Sequence, residues 1–261
     1  MLLDLSDPPL AGEYLRAVHT GWHEPVLYRR PDPEGELTIT IARTEQDRKA
    51  VEEIINRLYG WRGYGDDHHL TERASSTTFV ASRNGKVFGT LTLTVDSPEG
   101  LSIDHTFADE LGAIRAGTKA SLCELTKFAF DPSPQSRPLL AALFHVIFAY
   151  GTQRYDCTDL LIEVNPRHVR FYEVMLDFAR LGPLRTNEAV NAPSQLMHLQ
   201  VAHIERQIGL LAGRADVAGH SLYPHFFATH EERMVRQRIL GSSDLTSPER
   251  AVPWDVFRRA A

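Results

Sequence analysis

The chain has 261 residues, 43% hydrophobic and 24% charged, which supplies a core of ordinary size and excludes global disorder. Lys+Arg total 28 against Asp+Glu 34, a net charge of -6, so this is not a general nucleic-acid binder, and an acidic partner must be met by a local basic patch. All the basic residues except Lys49, Lys86, Lys119 and Lys127 are Arg, the side chain suited to forked contacts with carboxylates and phosphates. Two cysteines, Cys123 and Cys157, predict neither a disulfide framework nor a thiolate metal cluster, and with them a reducing compartment. Residues 1–12 carry no basic-then-apolar leader, and no apolar run nears the roughly 20 residues that span a bilayer; the sequence reads as cytoplasmic, without an integral membrane segment.

Residues 1–35, Pro-rich and closed by Arg29-Arg30-Pro31-Asp32-Pro33-Glu34-Gly35, read as an N-terminal arm ahead of a folded domain over 36–201. Glu36–Ala42 alternates like a strand, and Thr44 is placed to cap a helix over Glu45–Tyr59 whose apolar positions are Val51, Ile54, Ile55 and Leu58. The Gly-rich aromatic stretch from Gly60 to Gly65 ends it. Asn84-Gly85 joins Thr78–Ser82 to Lys86–Val95 as a tight hairpin, with Gly89 marking a bulge or a close approach. Ser121–Phe130 is the next strand; Pro138 opens a buried helix over Leu139–Tyr150; Asp159–Val164 is a short buried strand, His168–Leu176 a helix and Gln195–Val201 the last strand. Residues 202–261, helical around Ile204–Leu211 and Glu231–Leu240, form an extension placed to act as a cover or an oligomer contact. The order of elements predicts an α/β fold: a mixed, partly antiparallel central sheet with helices on both faces.

Period-2 alternation puts Leu122, Glu124, Thr126, Phe128 and Phe130 on one face, with Glu124 a carboxylate among apolar neighbours. Burial raises a carboxyl pKa and makes a general base usable near neutrality; the competing role is an ion pair with a buried Arg. His68-His69 and His220 with His225 come without a Cys/Asp ligand array, so no metal site is expected. Cys123 alternates away from Glu124 and reads as a small core residue.

Glu124-Leu125-Thr126-Lys127-Phe128 resembles the Glu-x-x-Arg-Phe strand of acyl-homoserine-lactone synthases, with Lys127 in the Arg position. Asn165-Pro166-Arg167-His168-Val169-Arg170-Phe171-Tyr172, followed by Phe178, resembles the last strand-to-helix turn of the GNAT acyltransferases, with Asp177 where that superfamily usually has Gly. Together they most resemble the FeeM-type long-chain N-acyl amino acid synthases over about Glu36–Gln200. The resemblance implies a GNAT-like sheet in which two parallel central strands, here Ser121–Phe130 and Asp159–Val164, splay apart around an acyl-pantetheine thioester.

It further implies transfer of a fatty acyl group from acyl carrier protein to the amine of an amino acid. Glu124 would be the base and Tyr172 the acid for the leaving thiolate, with no tightly bound cofactor beyond the acyl-phosphopantetheine thioester as co-substrate. Leu122, Thr126, Phe128, Phe130, Arg137, Phe144 and Asn165 would line the acyl and pantetheine passage, with Phe148 and Leu161 further tunnel candidates; apolar residues at these spacings equally pack a plain core. Trp61 and Arg62, beside Asp66 and Asp67, would shape the acceptor pocket, Arg62 facing the amino acid's carboxylate. The stretch Gln135–Ala141 lacks the Gly-rich pyrophosphate turn of coenzyme A users, and Pro138 removes an N–H, which favours a carrier-protein donor over acyl-CoA. Arg137, Arg154, Arg167 and Arg170 are the expected docking patch. Two alternatives stay open: a lactone synthase using S-adenosylmethionine, and a non-catalytic acyl- or carrier-binding module.

Overall fold

The computed structural model describes residues 26–242 except 33–34, 62, 64, 71–72, 118–119, 132–135 and 218. Arg62, most of the proposed arm and the end of the extension lie outside the described residues. Eight strands form one sheet: β1 (Tyr28–Asp32), β2 (Gly35–Ile41), β3 (Ser76–Arg83), β4 (Lys86–Val95), β5 (Leu122–Phe130), β6 (Asp159–Val164), β7 (Ala179–Asn187) and β8 (Ala192–Gln200). Their order is β1-β2-β3-β4-β5-β6-β8-β7, antiparallel throughout except for the central β5–β6 pair. The arm reading is corrected in one respect: Tyr28–Asp32 is an edge strand on β2, its Leu27 and Tyr28 buried in the core.

The local chemistry explains the elements. α1 (Glu45–Trp61) begins at a reciprocal cap in which Thr44 Oγ1 accepts from Asp47 N (3.1 Å) and Asp47 Oδ2 accepts from Thr44 N (2.9 Å). Asn84 (φ 51) and Gly85 (φ 77) both take positive φ, the backbone a two-residue hairpin needs. At Gly89 the β3–β4 register slips, and a Cβ there would stand 2.6 Å from the Phe130 ring, so both readings of that glycine hold.

α2 (Asp104–Arg115) is an element the sequence reading passed over, although Ile103, Phe107, Leu111 and Ile114 recur at helical spacing. It lies with α1 on one face of the sheet, each over its own apolar cluster. α3 (Ser136–Tyr155), almost wholly buried from Leu139 to Tyr150, covers the opposite face with α4 (Pro166–Leu176). The C-terminal extension, α5 (Val201–Leu211), a 3-10 turn at Tyr223–His225 and α6 (Thr229–Gly241), packs onto that same core through Ile204, Tyr223, Phe226, Phe227, Val235 and Ile239. Buried His145 of α3 fastens it: Nδ1 accepts from Phe227 N (2.9 Å), the ring stacks on Phe226 and Phe227, and Nε2 faces Glu232 of α6.

The cysteines correct a second expectation. Cys123 and Cys157 are joined in a disulfide, buried where β5 meets the α3–β6 connection. Alternation sent Cys123 away from Glu124 as expected, but into a bond with Cys157, two residues before β6, rather than into inert core.

Candidate active site

β5 and β6 pair in parallel at three positions only, Leu122 with Asp159, Cys123 with Leu160 and Glu124 with Leu161. Beyond Glu124 the two strands continue without a shared ladder, β5 held by β4 and β6 by β8, so the sheet opens as a V whose apex is Glu124. A bulge drives the opening: between Thr92–Thr126 and Thr90–Ala129 the register shifts, and Lys127 adopts φ 54. Such an insertion bends and overtwists its strand, here away from β6, and leaves peptide groups facing the gap.

The bulge also reverses the alternation. Leu122 and Glu124 face α1 and α2, whereas Phe128 and Phe130 turn to the α3 side, Phe128 lying 5.7 Å from the Phe144 ring. The single-face reading of Leu122, Glu124, Thr126, Phe128 and Phe130 is therefore corrected, because an extra residue in a strand flips every side chain after it. Leu122 and Leu161, expected along the tunnel, pack instead under α2.

Glu124 is 1% exposed. Its Oε2 accepts from Ser102 N (2.8 Å) and its Oε1 from Ser102 Oγ (2.5 Å), just ahead of α2, and no Arg pairs with it among the described residues. Burial pushes its carboxyl up to about 6; the Ser102 donors pull the other way, and the nearby Glu163 charge adds to the rise. Glu163 was missed in the sequence, although it follows Leu161 at strand period on the same face; its Oε1 is buried without a hydrogen-bond partner among the described residues.

Between the apolar patches under α1 and α2 runs a buried polar strip. Thr90, Thr92 and Thr94 of β4 are all within 6% of full burial; Thr92 and Thr94 pair with Thr78 and Ser76 of β3 through 2.8 Å hydroxyl bonds and stand in register with Thr126 and Glu124. Thr90 Oγ1 has no partner among the described residues. On the other face, Leu125 and Leu160, the neighbours of the apex pair, open onto an apolar cavity of about 20 Å³, room for one water-sized group, closed by Phe144, Phe148, Tyr223 and Phe226. Phe144 and Phe148 were expected there; the contribution of the extension was not.

The remaining candidates scatter. Tyr172 is buried on the inner face of α4, edge-on to Phe171 and Phe178, and so stands on the opposite side of the sheet from Glu124. Asn165 caps α4, its Oδ1 accepting from Arg167 N (3.2 Å). Asp177 takes the left-handed position that ends α4, with its carboxylate held by His203, which accounts for an Asp where Gly is usual. Arg137 donates to Gly219 O (2.9 Å) and thereby holds the extension. The four-arginine patch is broken: Arg137, Arg167 and Arg170 lie at the open end of the V, but Arg154 is in the last turn of α3, about 25 Å away along the helix. Trp61 is 55% exposed at the end of α1. No group of three or more His, Cys, Asp or Glu that could hold a metal occurs among the described residues, and no helix there is long and apolar enough to cross a membrane.

The model of the N-acyl amino acid synthase FeeM family matches residues 50–200. The solved structure of FeeM, an N-acyl amino acid synthase from uncultured soil microbes, is 28% identical over 64% of this chain and 92% of that one, with a TM-score of 0.55. The AHL synthase LasI is 17% identical over 63% of this chain and 90% of that one (TM-score 0.46), and the GNAT domain of S. lividans PAT 15% over 64% and 91% (0.44). No curated protein matches the chain. With a mixed sheet that opens at the parallel β5–β6 pair, this chain belongs to the N-acyl amino acid synthase FeeM family and is an acyltransferase.

Proposed function

We propose that the protein transfers a fatty acyl group from an acyl carrier protein thioester to the amine of an amino acid. The observation that carries this reading is the apex of the V: Glu124 on one face and, on the other, an apolar cavity lined by the neighbours of the apex pair, Leu125 and Leu160. The acyl-pantetheine arm enters from the open end, where β5 and β6 no longer pair with each other and their facing edges can hold its amides. The thioester carbon stops at the apex and the acyl chain spreads the Leu125–Phe144–Phe148 seam.

The acceptor amine arrives from the α1/α2 face. Glu124, ionised above about 6, takes its proton directly or through water, the nitrogen attacks the thioester carbon, and backbone N–H groups in the V stabilise the oxyanion. The C–S bond then breaks and the thiolate takes a proton, for which Tyr172 is the candidate donor. A carrier-protein donor is supported by the start of α3, which offers no glycine and spends Arg137 on the extension, while Arg167 and Arg170 stay exposed at the open end to meet an acidic carrier.

Cytoplasmic placement beside that carrier belongs to the same reading, and the Cys123–Cys157 disulfide is the observation against it. Thiol titration of protein prepared without reductant decides: two free thiols support the placement, none removes it. For the reaction itself, purified protein is mixed with acyl carrier protein thioesters, acyl-CoA, the common amino acids and S-adenosylmethionine, and products are identified by mass spectrometry. N-acyl amino acid from the carrier thioester is expected; an acyl-homoserine lactone, or carrier binding without turnover, would refute the proposal.

A further inference from the structure

Among the described residues, the acceptor face holds a cation that the scheme above leaves unused. Lys127 sits at the β5 bulge, half-buried, with burial pushing its ammonium pKa down. Among the described residues that ammonium makes no hydrogen bond or ion pair. The charge acting on it is Glu52 of α1, and the Glu52 carboxylate is already engaged, Oε1 by Leu70 N (2.8 Å) and Oε2 by His69 Nδ1 (3.5 Å).

The described arginines around this face are committed. Arg115 forks onto Asp96 and Asp104, Arg185 holds Glu110 and the Thr106 carbonyl, Arg73 holds Glu99 and the Gly100 carbonyl, and Arg57 forks onto Asp131. A half-buried ammonium whose neighbouring carboxylate, Glu52, is already engaged loses solvation that the described residues return only in part, and an incoming anion would return the rest. Lys127 is three residues from Glu124, at most about 10 Å between Cα atoms at strand rise, with Thr126 between them and Thr92 and Thr94 alongside. A Lys side chain and an α-amino acid together are long enough to span that interval.

We propose that Lys127 is the counter-ion for the acceptor's carboxylate, so that the site selects amino acids over amines that lack an acid. This rests on the acyl-transfer reading above. The Lys127–carboxylate contact sets the head group while Glu124 receives the amine, and the hydroxyl strip accommodates the polar edge between them.

The test takes each amino acid the parent acylates, pairs it with its carboxamide, and compares initial rates at saturating acyl donor for the parent, Lys127→Met and Lys127→Arg. The parent should favour the acid over the amide. Lys127→Met should raise KM for the acid about 10- to 100-fold with kcat little changed, and should erase the preference; Lys127→Arg should restore it. A Lys127→Met enzyme that keeps the parent's preference, or loses acid and amide equally, overturns the assignment. A parent that acylates amino acids without favouring acid over amide also overturns it and leaves the acyl-transfer reading standing. A parent that acylates no amine removes both.

Discussion

Under α3, the sheet buries Leu125, Leu160 and Leu199 against Phe144, Phe148 and Phe226, and the polar groups among them, His145 and the Tyr223 hydroxyl, are each hydrogen-bonded to backbone. One peptide away on the opposite face, Glu124 is as deeply buried, but beside Ser102, a row of threonine hydroxyls and Glu163. A buried hydroxyl or carboxylate costs free energy unless it is hydrogen-bonded, so a fold optimised for stability alone would have made both faces like the first. Thr92 and Thr94 are zipped to Thr78 and Ser76, yet among the described residues Thr90 and Glu163 keep unsatisfied oxygens, and the Lys127 ammonium makes no hydrogen bond or ion pair. On the proposed reading, the dry face takes the hydrocarbon chain and the polar face the amino acid, with the V as the passage between them.

The largest expected effect is on the polar face. Glu124→Gln should lower kcat/KM by 10²- to 10⁴-fold, measured by thiol release from the acyl carrier. In the parent, log(kcat/KM) should rise with pH and level off above about 6, because only the ionised carboxylate accepts a proton. The same shift has a stability consequence: a folded pKa raised from 4.5 to about 6 means stability present below 4.5 and lost as pH rises through 6, about 2 kcal/mol. Glu124→Gln should therefore be inactive yet more heat-resistant than the parent at pH 7, an advantage that vanishes near pH 4.5. A less stable variant at neutral pH would make Glu124 a structural residue and erase the contrast between the faces.

On the dry face the effect should be one of selection. Ile147→Trp fills the cavity and should lower the rate with long acyl donors relative to short ones by about 10-fold, at a stability cost of about 1 to 3 kcal/mol. Equal loss for all chain lengths would place the acyl group elsewhere.

The smallest effect concerns the extension that closes this face. The facing His145 ring, its Nε2 3.8 Å away, then burial opposing it and the Arg236 contact, leave the Glu232 carboxyl at about 2, while burial holds His145 below the usual imidazole range. With the folded pKa depressed, the Glu232 contribution is present above 4.5 and lost as pH falls toward 2. Glu232→Gln should cost about 1 to 2 kcal/mol at pH 7 in thermal unfolding and nothing near pH 2.

Much of this architecture was readable in the residues. The Asn84-Gly85 hairpin, the Thr44 cap, the buried α3 behind Pro138 and the β6–α4 turn at Asn165-Pro166 each carry a local signal that tertiary packing did not override. The bulge was not readable, because a Lys in the left-handed region leaves no mark in a strand pattern; that one residue moved Phe128 and Phe130 to the other face and the acyl passage with them. Glu124 was found from its alternation; the competing role gave it an Arg partner, whereas its partner is the entry to α2, a helix whose own periodicity was overlooked. The disulfide depends on a contact 34 residues apart, which cysteine counting cannot supply.

The most direct test of the two-face account is a crystal structure with the N-acyl amino acid product bound. The account predicts the acyl chain between β5 and β6, running past Leu125 and Leu160 toward Phe148 and Tyr223, with the amide at the apex and the carboxylate on the side of Glu124 and Lys127. An acyl chain lying under α1 and α2, or a head group on the α3 side, would contradict it.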